Sequence, residues 1–356
     1  MSLTASIFFL IAAFNNFTDI KLLMFIAISG NGGSVGIASF FLIAANAFAA
    51  LAAAPPSAFF ADAFISGMYN YLLLDLCSRY AIIVLMIKVS HESPITLLPE
   101  SILYNDYQYC LVHLMEEEPE YKDWFLGKYR ATRPDGEILL DNSIFELKEA
   151  FDSDKYAEWC ERINPNYYIV PDVLESSEGT MENFKAFTDA YKKLPGATIG
   201  AVQGKTWTDV VECYRFMSAY ADYIAISFDF SMYDVTGFSN LLTPKKLMRQ
   251  TTGRQHLVKR LIDEGWWNWD KPHHLLGASL AREFKWYVNN NVYNIRSLDT
   301  SNPVVAGLLG YQYNGDFGLN HKPSQLLADL IHADPDEDAK EIIRYNTSQF
   351  KKIIKR

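Results

Sequence analysis

From about residue 109 the chain alternates two textures. Short runs rich in apolar and β-branched residues are followed by longer stretches in which apolar positions recur every three or four residues. The first kind predicts buried strands and the second predicts amphipathic helices. On this basis strands are expected at "YCLVHLM" (109–115), "EILLD" (137–141), "YYIVPD" (167–172), "ATIGAVQG" (197–204), "YIAISFD" (223–229), "HHLLGA" (273–278) and "NIRSLD" (294–299). Helices are expected over Phe145–Cys160, Gly179–Lys193, Thr206–Tyr220, Pro244–Asp263 and Leu280–Asn289. Strands that are apolar throughout, each followed by a helix, are the mark of parallel βα units covered on both faces. Seven clear strands and one that the pattern does not locate predict a (β/α)8 TIM barrel. A doubly wound sheet is the rival fold. It needs a glycine-rich first turn, and neither GxGxxG nor GxxxxGK[ST] occurs.

Residues 1–85 do not share this texture. They carry only Lys21, Arg79, Asp19, Asp62 and Asp75 as charges, and Val35–Ala54 is an uncharged run long enough to cross a bilayer. Three readings follow for this apolar extension: a membrane segment, a translation start placed too early with the native start at Met86, or a soluble apolar extension. The chemistry-bearing residues all lie in 86–356, which is expected to form the single barrel domain.

Charge and cysteines narrow the class. With 32 basic and 42 acidic residues the net charge is −10, so bulk electrostatics do not suit coating of a nucleic acid. A local basic patch remains compatible, and Lys245, Lys246, Arg249, Arg254, Lys259 and Arg260 cluster on one predicted helix. Cys77, Cys110, Cys160 and Cys213 form no CxxC pair and no zinc spacing, as expected of reduced thiols in a cytoplasmic protein.

The polar residues concentrate where a barrel keeps its chemistry. Asp141, Asp172, Gln203, Asp229 and Asp299 each close a predicted strand, and in a barrel those ends converge on one face. Any one of them is an ordinary turn starter or helix cap. Together they supply carboxylates for nucleophilic and acid–base work at a sugar carbon. The tryptophan-rich "EGWWNWDKPHH" (264–274) reads first as amphipathic packing outside the barrel and second as a nucleic-acid stacking surface, and His273 and His274 lack metal-ligand spacing.

Five segments taken in order resemble the tRNA-guanine transglycosylases, the base-exchange enzymes of the queuosine and archaeosine pathways. "LLDNSIFEL" (139–147) matches a family strand end at Asp141 and Phe145, and "GAVQG" (200–204) matches a base-contacting segment at Gln203 and Gly204. "HLLGASLAREF" (274–284) is similar to the family's Leu-Met-Gly strand, and "IRSLDTSNP" (295–303) places Asp299 on the nucleophilic aspartate. "RYNTSQFKKIIKR" (344–356) resembles the closing helix. The sequence departs from the family at Asn142, Ser143, Ile144 and Glu146, at "SFDFSMYD" (227–234), and in having no cysteine after Cys213. The family's zinc module is therefore missing, and the shortened form looks at least as similar to phage-encoded enzymes that place 7-deazaguanines in DNA.

The resemblance implies a pentosyltransferase that exchanges guanine in tRNA or DNA for a 7-deazaguanine. Asp299 would be the nucleophile and Asp141 the proton-handling partner. Asp172, Gln203 and Gly204 would read the base, and Phe145 or Tyr107 would stack on it. No metal or organic cofactor is expected. A barrel hydrolase acting on a small glycoside or nucleoside, and a non-catalytic subunit of transglycosylase shape, are the alternatives. The sequence leaves open whether the chain forms a homodimer.

Overall fold

The computed structural model describes residues 87–228, 246–278, 280–314, 318–319 and 325–354. The apolar extension and Asp229 lie outside them. Eight parallel strands form one sheet in the order β1-β8-β7-β6-β5-β4-β3-β2. They are β1 (Lys88–His91), β2 (Gln108–Leu111), β3 (Ile138–Asp141), β4 (Tyr167–Ile169), β5 (Ala197–Val202), β6 (Tyr223–Ile226), β7 (His273–Leu275) and β8 (Ile295–Thr300). The principal helices between and after them are α1 (Leu98–Ser101), α2 (Val112–Glu117), α3 (Ser153–Ile163), α4 (Ser177–Ala190), α5 (Trp207–Tyr220), α6 (Lys246–Asp263), α7 (Glu283–Asn289), α8 (Asn302–Leu308) and α9 (Glu337–Ile354). This is a nearly closed (β/α)8 barrel.

The strand that the pattern did not locate is β1, four residues of which only Val89 is a large aliphatic. Its brevity leaves no periodic signal. The seam between β1 and β2 is stitched mainly by side chains standing in for a ladder. Asp106 N–H donates to Val89 O at 2.9 Å, while Val89 N–H donates to Asp106 Oδ2 at 2.9 Å. His91 N–H donates to Asn105 Oδ1 at 2.7 Å, and Tyr109 N–H donates to Ser90 Oγ at 3.1 Å. Lys351 of α9 holds Asp106 from outside at 2.7 Å.

Two boundaries differ from the sequence expectation. The apolar run 109–115 is strand only to Leu111, and α2 begins at Val112. A buried strand feeding directly into a buried helix has no polar break, so periodicity cannot divide it. The helix expected over Phe145–Cys160 is a single turn, Ile144–Leu147, followed by α3. Ser143 and Lys148 bracket the turn in left-handed conformations, and Asp152 starts α3 by accepting from Lys155 N–H. By contrast, Thr206 and Asp209 form a reciprocal capping box at the start of α5, close to the expected boundary.

The closing helix is a packing element. Gly307 of α8 lets α9 approach so closely that a β-carbon there would lie 2.4 Å from Ile343 Cγ1. Buried Asn346 donates to Pro303 O and Tyr311 O, at 3.2 and 2.9 Å. Among the described residues no helix is long and apolar enough to cross a membrane.

Candidate active site

Parallel pairing puts partnered residues on the same side of the sheet. Ala225 pairs with His274, His274 with Ser297, and Ser90 with Asp299. The β7–β8 register shifts at His273/His274, where one step along β7 faces the two steps from Ile295 to Ser297. A shift of this kind re-aims the residues beyond it. Ile295 thereby faces the helices together with His273, whereas Ser297 and Asp299 face the barrel interior together with His274.

Asp299 is buried at 4% exposure and held from two sides. Gly277 N–H is shared between its carboxylate oxygens at 3.1 and 3.0 Å. His274 Nε2 lies 3.1 Å from Asp299 Oδ1, and its Nδ1 lies 2.8 Å from Ser297 Oγ. With the carboxylate accepting at Nε2, the Ser297 hydroxyl can donate to Nδ1. Gly277 has φ +61°, a left-handed conformation that L side chains adopt only under strain, so this turn requires glycine to aim its N–H.

Asp141, the last residue of β3, completes the same cluster. Tyr109 Oη donates to Asp141 Oδ2 at 2.7 Å, and Ser143 N–H donates to Oδ1 at 2.6 Å. The Tyr109 ring stacks on His274 with centroids 6.2 Å apart and planes 16° apart. Two carboxylates are thus joined through one stacked pair: Asp141 to Tyr109, Tyr109 over His274, and His274 to Asp299. Burial pushes the Asp141 carboxyl well above the usual carboxylate range, and the charges of Glu146 and Asp299 push the same way. The bonds from Tyr109 and Ser143 oppose that rise. Glu146 at the rim is also raised, by desolvation and by Asp299.

A second polar network adjoins the first. Asp172, buried at 3% exposure, accepts from Asn142 Nδ2 at Oδ1 and from Gln203 Nε2 at Oδ2, each at 2.7 Å. Asn142 Nδ2 also donates to Val170 O at 3.2 Å, and Gln203 Oε1 accepts from Glu175 N–H at 3.1 Å. The strand ends after β3, β4 and β5 therefore present one oriented carboxylate.

The structure gathers Asp141, Asp172, Gln203 and Asp299 at one end of the barrel, as the strand-end reading expected. The other candidates are distributed differently. Gly204 makes room for α5: a β-carbon there would lie 2.9 Å from both Asp209 Cβ and Val210 N. Phe145 is 59% exposed at the rim with Lys148 Nζ 4.0 Å from its ring centroid. Tyr107 is buried, and its hydroxyl donates to Leu298 O at 2.7 Å, so its ring packs inside the barrel instead of offering a face to an incoming base.

Sequence reasoning missed His274, Tyr109 and Asn142. A search for metal-ligand spacing passes over His274, because the pair His273–His274 has none. Alternation along a strand was the available signal, since adjacent residues must face opposite sides. His273 stacks on Trp267 at 3.9 Å and meets Tyr214 Oη at 2.8 Å, where burial lowers its pKa to about 3. Among the described residues, no group of three His, Cys, Asp or Glu side chains is arranged to hold a metal ion.

The basic helix also reads differently. Arg254 is 1% exposed and pairs with Glu283 through Nε at 2.7 Å and Nη2 at 3.0 Å. Its Nη1 donates to Ile226 O and Leu276 O, at 3.2 and 2.8 Å, so it clamps the ends of β6 and β7 and is not available to phosphate. Lys259 and Arg260 pair with Asp263 and Glu264 one turn on.

No family model matches this chain, and no curated protein matches it. Among solved structures, a protein from Aquifex aeolicus VF5 described only as a structural study is 13% identical, with a TM-score of 0.39. That match covers 74% of this chain and 93% of the other.

Proposed function

We propose that the protein is a base-exchange pentosyltransferase that replaces guanine in a nucleic acid by a 7-deazaguanine. The observation that carries this reading is the pair of buried carboxylates with unequal settings. Asp299 is fixed by a backbone N–H and an imidazole. Asp141 is held above its ordinary range and so is suited to keep a proton.

The carboxylate of Asp299 attacks C1′ of the target nucleotide as the C1′–N9 bond breaks. The departing guanine takes the bonding electron pair and a proton from Asp141. A 7-deazaguanine then enters, its N9 bonds to C1′, and its N9 proton passes to Asp141 as the Asp299 ester opens. Asp172 accepts from N1–H and the exocyclic amine of a guanine-like edge, a pattern that adenine cannot satisfy. Asn142 and Gln203 orient Asp172, which gives Gln203 a positioning part in addition to any contact with the base. Phe145, exposed on the rim, offers a ring on which a flipped base can stack. The acceptor is tRNA or DNA.

The test uses the full chain with radiolabelled guanine and either bulk tRNA or double-stranded DNA, and counts label in the polymer. Incorporation into one polymer that Asp299→Asn abolishes is the expected result. Failure of the folded wild-type protein to label either polymer would remove the exchange reading. The same acid pair also suits hydrolysis of a nucleoside or small glycoside. Release of free sugar without incorporation of a base would select that reaction.

A further inference from the structure

At the opposite end of the barrel, beneath the carboxylates, lies a cavity of about 370 Å3. That volume falls within the range of small-molecule sites. In this fold the interior is ordinarily filled by layers of side chains, so an opening at this end needs a reason. Its inner wall consists of Leu139, Tyr167, Ile199 and Tyr223, inward residues at the start of their strands. Tyr167 and Tyr223 meet edge to face with centroids 5.0 Å apart. At the mouth Trp269 and Tyr293 stack at 5.2 Å with 28° between planes, and they remain 37% and 46% exposed. Two aromatic surfaces therefore line one opening, and one of them faces water.

The charges have a sign. Lys88, Lys271 and Arg296 line the cavity against Glu137 and Asp270. Lys88 is paired with Glu137 at 2.6 Å but stays 46% exposed, so it can turn part of its donor capacity to a ligand. The wall is also built in advance. Asn294 Nδ2 donates to Asn268 O and Lys271 O at 2.8 and 2.9 Å, and Asn268 N–H donates to Tyr214 Oη at 2.9 Å. Lys271 Nζ reaches Ala221 O. A wall held in this way requires little ordering when a ligand enters.

We propose that this cavity binds a small planar aromatic anion, a ring system carrying one carboxylate, sulfonate or phosphate group. The ring lies against the Trp269–Tyr293 platform, and the acid group meets Lys88 and Arg296. The cavity also reaches Ser297, whose Oγ contacts His274, the residue that holds Asp299. An occupant at Ser297 is thus two hydrogen bonds away from Asp299, and the lower site can bias the orientation of His274 from below.

The probe is 8-anilinonaphthalene-1-sulfonate, titrated by fluorescence into the full chain. Its neutral counterpart, N-phenyl-1-naphthylamine, serves as the control. The expected result is a saturable sulfonate-dependent component that Trp269→Ala and Tyr293→Ala each weaken at least fivefold. Tyr293→Phe should leave it unchanged, and the neutral probe should bind that site at least tenfold more weakly. The His274 imidazole resonances should move on saturation, which adsorption elsewhere on the surface would not produce. Equal affinity for the two probes, or wild-type affinity in both alanine variants, would overturn the proposal. So would the lack of any saturable component. The readout is binding alone and does not depend on the exchange reaction.

Discussion

Glu283→Gln tests how the barrel supports its site from behind. Glu283 is completely buried and accepts from Arg254 Nε at 2.7 Å, Arg254 Nη2 at 3.0 Å and Tyr287 Oη at 2.8 Å. The substitution leaves the volume nearly unchanged but puts an amide NH2 toward donors and strands a guanidinium charge in the core. Removing one partner of a buried ion pair costs about 3–5 kcal/mol. Total stability for a domain is about 5–15 kcal/mol, so this loss should be plain in urea denaturation followed by circular dichroism. Arg254→Met leaves the Glu283 carboxylate buried without its guanidinium and should also lower stability. It also removes a donor from the carbonyls of Ile226 and Leu276, of which Ile226 O keeps Leu276 N–H at 3.0 Å. The double variant Arg254→Met/Glu283→Leu should be more stable than the sum of the single losses predicts, because neither charge is then left alone. A loss below about 1 kcal/mol for Glu283→Gln would refute the assignment of this pair as a core clamp, as would strict additivity in the double variant.

Three further outcomes are expected. Gly277→Ala should cost about 1–2 kcal/mol, from the left-handed conformation at that position, and should lower exchange activity by misdirecting the N–H toward Asp299; unchanged urea midpoint and activity would count against the role of the turn. Tyr109→Phe removes a hydroxyl that favours ionised Asp141, so the limb of the pH–rate profile that reports Asp141 should move to higher pH, and movement to lower pH would reverse the assignment. His91 and His273, each lowered to about 3 chiefly by burial, stay neutral in the folded chain while the unfolded chain binds protons near pH 6.5. The stability linked to each is therefore present above about pH 6.5 and lost as pH falls toward 3, by about 1.4 kcal/mol per pH unit per histidine. His273→Gln should make the urea midpoint less sensitive to pH between 7.5 and 5, and an unchanged slope would refute it.

Much of the site was legible because a barrel converts one-dimensional information into position. Asp141 closes β3, Asp299 is the last residue but one of β8, and Asp172 and Gln203 stand beyond the ends of β4 and β5; parallel strands end on a common face, so the four had to converge. His274 was not legible in the same way. Its part depends on which side of β7 it faces, and that is set by the register shift opposite Ile295–Ser297. Arg254 shows the converse failure. Sequence placed it on a basic helix, but its contact with Glu283 is made 29 residues away, across two elements. Charge counting along a helix cannot distinguish a solvated face from a buried ion pair.

The sequence by itself determined the alternation of apolar strands and amphipathic helices, and through it the barrel and the end at which its acids gather. Backbone hydrogen bonding and apolar burial act locally and periodically, so they leave a readable trace. Tertiary structure alone decided the rest: the stacked Tyr109–His274 bridge between Asp141 and Asp299, the reach of Asn142 and Gln203 to Asp172, and the cavity beneath Ser297. Those features depend on distances of about 3 Å between residues far apart in the chain, and packing fixes such distances only after the barrel has closed.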